Sequence, residues 1–210
     1  MVNTTNIVVS RYKRNTVFVY KINNYKNVNV LIYDKEDPTN PLNIPLNKGQ
    51  EASVYLKYII DYYDSLPEFT FFIHDEEYSW HHSGSLIDKY QEAVMSNQKY
   101  YNVNDKCIWK GNAIKELHGD KMVSDYKLWY SRNIEEYIPF STLPVDFLAG
   151  YRGSAQFLVH KDLIKTLPKK FYENLYNWII KTPLSNYISS RFLEWSWHIF
   201  WCIHPKNINL

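Results

Sequence analysis

Cysteine is nearly absent: Cys107 and Cys202 are the whole supply in 210 residues. Two thiols make neither a disulfide framework nor a four-thiolate zinc site, and they fit a reducing compartment. Long apolar runs are lacking too. No stretch reaches the ~18 residues needed to span a bilayer, and Met1 to Lys13 reads as polar and then strand-like, not as a signal peptide. Nor is there a block of one charge. Lys and Arg number 24, Asp and Glu 22, and the net charge is +2. Lys13-Arg14 and Lys169-Lys170 are only pairs, so the salt-dependent footprint of a nucleic-acid binder is missing. Repeats and low-complexity linkers are absent as well. These absences predict a soluble, cytoplasmic chain, most simply a monomer, with no nucleic-acid partner and no membrane span. One domain over residues 1–210 is the expected organisation.

What is present is ordinary for a globular protein in all but one respect. Hydrophobic residues make up 45% and charged residues 22%, near the usual averages. Aromatic residues, at 17% with 19 Tyr and 7 Trp, are in excess. Most must serve packing, because tyrosine buries its ring and keeps its hydroxyl wet. A few could form a platform for sugar or base stacking, with Trp80 and Trp109 as candidates for a sugar face, although core packing is the commoner use of each.

Short β-branched or aromatic runs mark three buried strands: Asn6 to Ser10, Asn29 to Tyr33 and Phe69 to Ile73. Thr16 to Ile22 fits a strand or a short helix equally. Residues 37–45, with three prolines, read as loop. Asn47, with Gln50 three residues on, predicts a capped helix whose apolar stripe runs through Val54, Tyr55, Tyr58 and Ile59 to Tyr63, stopped by Pro67. Further on, Ser85 caps a predicted helix to Asn97. Residues 102–143 read as irregular. Gly153 to His160 reads as a strand, and helices are expected over Pro168 to Lys181 and Ser185 to Trp201. Continuous apolar strands separated by a helix argue for an α/β fold, Rossmann-like, with a central, mostly parallel sheet covered on both faces. In such sheets ligands bind beyond the carboxyl ends of the strands. Arg11 to Lys13, Asp34-Lys35 and His74 to Glu77 all fall at such ends.

Asp75-Glu76-Glu77 leaves a buried strand directly. A hard divalent cation takes oxygen ligands from protein and phosphate together, and a departing diphosphate needs its charge neutralised. His74, His81 and His82 crowd the same segment. Arg11 and Lys13 suit phosphate oxygens. Glu194 and His198, four apart on the expected last helix, share one face. An isolated acidic triplet is more often a solvated turn, and an isolated Glu–His pair more often a surface pair or a buried hydrogen bond. Their combination is what points to chemistry on a phosphorylated substrate.

The run Asn47-Lys48-Gly49-Gln50-Glu51-Ala52, followed by Tyr55-Leu56, Ile59-Ile60, Tyr63-Asp64, Leu66-Pro67, Phe72-Ile73-His74 and Ser79-Trp80-His81, resembles a family filed as a domain of unknown function. Ala155-Gln156-Phe157, Phe171-Tyr172, Leu193-Glu194 and Trp197-His198 extend the likeness to the C-terminal half, and Val8 to Tyr12 to the N-terminus. That family is similar to small GT-A-type glycosyltransferases, among them enzymes of large DNA viruses that act on the capsid protein. The resemblance implies a nucleotide-sugar donor (a UDP-sugar), a glycan or glycoprotein acceptor, and Mn²⁺ or Mg²⁺. It implies a nucleotide-binding part over about 1–82 and an acceptor part over about 83–210. Ser10, Arg11, Tyr12, Lys13, Asp34 and Lys48 would serve the donor. Asp75, Glu77 and His198 would hold the metal, with Glu76 open as the alternative second carboxylate. Glu194 would be the general base if the reaction inverts. A carbohydrate-binding module and a metal-dependent phosphohydrolase are the other classes these residues allow.

Overall fold

The computed structural model describes residues 4–44, 46–106, 113–142 and 153–202. The three β-branched and aromatic runs form β1 (Thr5–Arg11), β2 (Val28–Asp34) and β3 (Phe69–His74), paired in parallel with β1 in the middle. β4 (Tyr100–Asn102) and β5 (Phe157–His160) extend the same sheet, in the order β2-β1-β3-β5-β4. β5 runs antiparallel to both β3 and β4. The sheet is therefore mixed rather than mostly parallel. Sequence could not show this, because a short run buried on both faces looks the same in either direction.

Alternate residues of the strands face opposite layers. Ile7, Val9, Phe71, Ile73 and Leu158 pack beneath α1 (Val19–Asn23) and α3 (Leu86–Met95). Val8, Phe72, Phe157 and Val159 meet the larger core, which belongs to α2 (Glu51–Tyr62), α4 (Ala113–Asn133), α5 (Lys161–Ile164), α6 (Lys169–Lys181), α7 (Asn186–Glu194) and α8 (Trp197–Cys202). Helices thus cover both faces, and none of those described is long and apolar enough to cross a membrane. The aromatic surplus goes mainly into this larger core. Trp129, Trp195, Trp197 and Trp201 are buried there, with Trp197 and Trp201 stacked at 5.6 Å. Trp80 departs from the packing expectation, being 65% exposed. Trp109 lies outside the described residues.

Several elements differ from the sequence reading. Thr16 to Ile22 yields the short helix α1. Within the stretch expected to be irregular runs α4, broken at Gly119, whose φ of 78° and ψ of 170° are not helical. Its Tyr126, Trp129, Tyr130 and the following Ile134 keep helical spacing and are buried. The expected last helix is two, because Ser196 ends the ladder. Its N–H turns to the Leu193 carbonyl and its hydroxyl takes the Phe192 carbonyl at 2.6 Å, the competition with backbone that disfavours serine inside helices. Ser85 does cap α3, accepting the Ile87 N–H at 3.0 Å.

The start of α2 is held by tertiary contacts rather than by a cap. Asn47 does not cap it. Gln50, at φ 50°, precedes the helix with no side-chain cap. Instead, residues 47–50 are bolted to the start of α7. Asn186 donates to the Asn47 carbonyl at 2.8 Å and accepts from the Gly49 N–H at 3.2 Å. Gly49 sits at φ 67°, and a Cβ there would lie 2.0 Å from Cδ1 of Ile179 on α6. Both the backbone angle and the close approach call for glycine. Gly49→Ala should cost about 1–3 kcal/mol, the usual penalty for overpacking, seen as a lower urea midpoint at unchanged slope. An unchanged midpoint would mean that α6 yields and that the approach is not constraining.

Candidate functional site

The three polar strand ends meet at one edge, as expected. Arg11 lies opposite Asp34, and Ser10 between Tyr33 and His74. The chain passes from β1 to β2 on one side and from β2 to β3 on the other, so the strand order switches between β1 and β3. Open α/β sheets bind ligands at such a switch. Across it, the Tyr12 N–H donates to Asp75 Oδ2 at 2.7 Å, and Arg14 pairs with Glu76.

On the β1–β2 side of the switch is a cavity of about 560 Å³, lined by Arg11, Lys13, Arg14 and Asp34 among others. Three of the residues assigned to the donor are therefore together. Asp34 is only 1% exposed. One of its oxygens accepts the N–H groups of Glu36 and Asp37, and the other pairs with Arg11. It anchors the loop after β2 and sets Arg11 at the cavity wall. Tyr12 is exposed beside it, with the Lys13 ammonium 5.0 Å from its ring centroid. Ser10 is buried within β1, and the Lys48 amine is tied to the Leu184 carbonyl between α6 and α7. Those two are not brought to the cavity.

A buried ionic cluster lies on the other side, where the N-terminus of α2, the end of β3 and the end of α7 converge. Glu51 opens α2, and its side chain is 8% exposed, with Oε2 3.9 Å from His74 Nε2. Its Oε1 has no hydrogen-bond partner among the described residues. On α7, Arg191 Nη1 donates to both oxygens of Glu194, at 2.6 and 2.7 Å, and its guanidinium lies 4.8 Å from the centre of the Tyr187 ring. Lys35, at the end of β2, donates to the Gln50 carbonyl. Burial sets the protonation states. It pushes Glu194 up to about 7, with help from the Glu51 charge, and raises Glu51 as well. It lowers Lys35 to about 8, His74 to about 4 and His81 to about 3. Both of these imidazoles are therefore neutral at pH 7. A carboxylate titrating near neutrality, pinned by an arginine, has the properties of a general base.

Asp75, Glu77 and His198 do not come together as a ligand set. Asp75 faces Tyr12 and Arg14. Glu77 accepts from the Ser85 hydroxyl at 2.9 Å and pairs with Lys21. His198 is on α8, 1% exposed, beyond the helix break, so it does not share a helix face with Glu194. No group of three His, Cys, Asp or Glu among the described residues is disposed to hold a metal ion. The residues missed by the sequence reading are Arg191 and the role of Glu51. The i, i+3 spacing of Arg191 and Glu194 on a helix was the available signal.

Residues 7–208 match a family described as "Protein of unknown function (DUF3431)", and the chain belongs to that family. No curated protein and no solved structure matches it.

The Glu194 assignment has a pH signature. Its folded value near 7 exceeds the ordinary carboxylate value of 4.5, so between about pH 4.5 and pH 7 the folded chain holds the extra proton and stability falls as pH rises. His74 and His81, lowered from 6.5, act in the opposite sense below pH 6.5. Subtracting the urea-derived stability of Glu194→Gln from that of the parent should cancel the histidines and leave a downward trend across that window. A flat difference would show that Glu194 is not held in a desolvated site.

Proposed function

We propose that the protein transfers a glycosyl group from a nucleoside diphosphate sugar, in the first instance a UDP-sugar, to a hydroxyl of a glycan or glycoprotein. The observation that carries this reading is the pairing of a basic cavity with a buried carboxylate of raised pKa at one sheet edge. The donor diphosphate lies against Arg11, Lys13 and Arg14, whose charges offset that of the leaving group. Glu194, oriented by Arg191, takes the proton of the acceptor hydroxyl. The new C–O bond forms as the bond to the diphosphate breaks, and the diphosphate leaves with the bonding electrons. If Mn²⁺ or Mg²⁺ is bound, Asp75, the carboxylate at the switch, would help hold it, and the ion would supply positive charge to neutralise the departing diphosphate. The likeness to GT-A-type glycosyltransferases belongs to the same proposal, with a soluble monomer in the cytoplasm acting on a glycoprotein such as a viral capsid protein.

A thermal-shift screen of nucleoside diphosphates and sugar nucleotides, with and without Mn²⁺, tests the donor half, because a ligand of the native state raises its stability. UDP or another nucleoside diphosphate should stabilise the parent, and Arg11→Ala or Lys13→Ala should weaken that affinity by about tenfold, the effect of losing ~1.4 kcal/mol. Glu194→Gln should keep nucleotide affinity and lose transfer by about 10²- to 10⁴-fold. Absence of any nucleotide response sinks the reading. Phosphate release with no acceptor requirement would replace it with a phosphohydrolase.

A further inference from the structure

Trp80 is the exposed tryptophan among those described, and it is held in place. Its ring stacks on His81, 4.0 Å between centroids and 28° between planes. His81 meets His74 edge-on at 5.3 Å, and His74 approaches Glu51 at 3.9 Å. An exposed indole is thus joined to a buried carboxylate by two imidazoles, a column of contacts from solvent to the interior. The column stands after β3, away from the cavity over β1 and β2 where Arg11 and Lys13 lie. Its loop leans toward β4: the His81 carbonyl accepts the Lys106 N–H, and Ser83 bonds Asp105.

We propose that the Trp80–His81 shelf is a subsite for one ring of a saccharide acceptor, whose next ring carries its reactive hydroxyl down to Glu51 and Glu194. This inference rests on the glycosyl-transfer reading. The electron-rich face of an indole attracts the weakly positive C–H face of a pyranose. The carboxylates below can accept hydrogen bonds from sugar hydroxyls. The spacing has a consequence for substrate class. Two imidazoles stand between Trp80 and Glu51, a span that suits two sugar rings rather than one. The acceptor is then an oligosaccharide already in place, and the enzyme elongates a glycan rather than starting one on a bare side chain. The reaction that supplies its substrate must be an earlier glycosylation.

Titration calorimetry on the full chain with lactose, maltose and cellobiose, alongside galactose and glucose, tests the shelf, and a glycan array widens the panel. At least one oligosaccharide should bind more tightly than its component monosaccharides. Trp80→Ala should weaken it about tenfold and Trp80→Phe much less, while UDP affinity stays at the parent value. Trp80 is on the surface, so these variants should fold, and far-UV circular dichroism verifies it. Saccharide binding indifferent to Trp80, a loss of UDP affinity in Trp80→Ala, or no saccharide binding on the array each overturns the subsite. Trp80-dependent saccharide binding by a protein that ignores every nucleotide would keep the shelf and remove glycosyl transfer instead.

Discussion

The bracket between Asn186 and residues 47–49 is the constraint on which the site depends. One side-chain amide closes a hydrogen bond to each side of Lys48, and the bare backbone of Gly49 rests on Ile179. These contacts fix the first residue of α2 against α7 and α6. Glu51 and Glu194 come from distant parts of the chain, and like charges in a desolvated place repel. Only a stiff frame keeps them neighbours. The positive φ of Gln50 belongs to the same frame: its carbonyl receives the Lys35 amine, which brings compensating charge to the place where α2 begins.

Burying Glu51 and Glu194 together, with Lys35 and Arg191 half-buried beside them, is a poor way to hold a fold. Apolar residues of similar volume often fill such a place at no loss of stability. The same helices show the apolar solution a short distance away, where Trp195, Trp197, Phe200 and Trp201 pack without charge. Groups whose protonation burial moves toward neutrality, at the carboxyl edge of a sheet, mark a candidate functional site. The contrast between Arg11 and Arg191 is informative. Arg11 pairs with a carboxylate already satisfied by backbone amides and stays half-exposed at a cavity wall. Arg191 grips a carboxylate in the interior and leaves its Nε without a partner among the described residues.

Much of this was legible because burial on both faces writes continuous apolar strands, and chain order alone then aligns Arg11, Asp34 and His74 along one edge. What was not legible has physical causes. The direction of β5 leaves no trace in a run as short as Phe157–His160. The α2 start misled because Asn47 and Gln50 have the composition of a capping box, while the tertiary bracket takes Asn47 for itself and pushes Gln50 out of the helical region. The apolar period of the last helix continues across Ser196, so the break that separates Glu194 from His198 has no hydrophobic signature. Trp80 could not be told from its buried counterparts, because exposure of an aromatic ring is decided by the loop that carries it.

The reversed β5 carries a consequence of its own. A strand run backwards delivers its entrance, rather than its exit, to the working edge of a sheet. Residues 153–156 arrive there with two main-chain contacts and one from a side chain: the Ser154 N–H donates to the Glu194 carbonyl, the Ala155 carbonyl accepts from the Tyr55 hydroxyl, and the Gln156 side-chain oxygen accepts from the His74 N–H. The first two depend on main-chain shape more than on side-chain identity. Residues 154 and 155 can drift in sequence while continuing to hold the end of α7 and the Tyr55 hydroxyl in register, so the edge owes part of its precision to residues with no chemistry of their own.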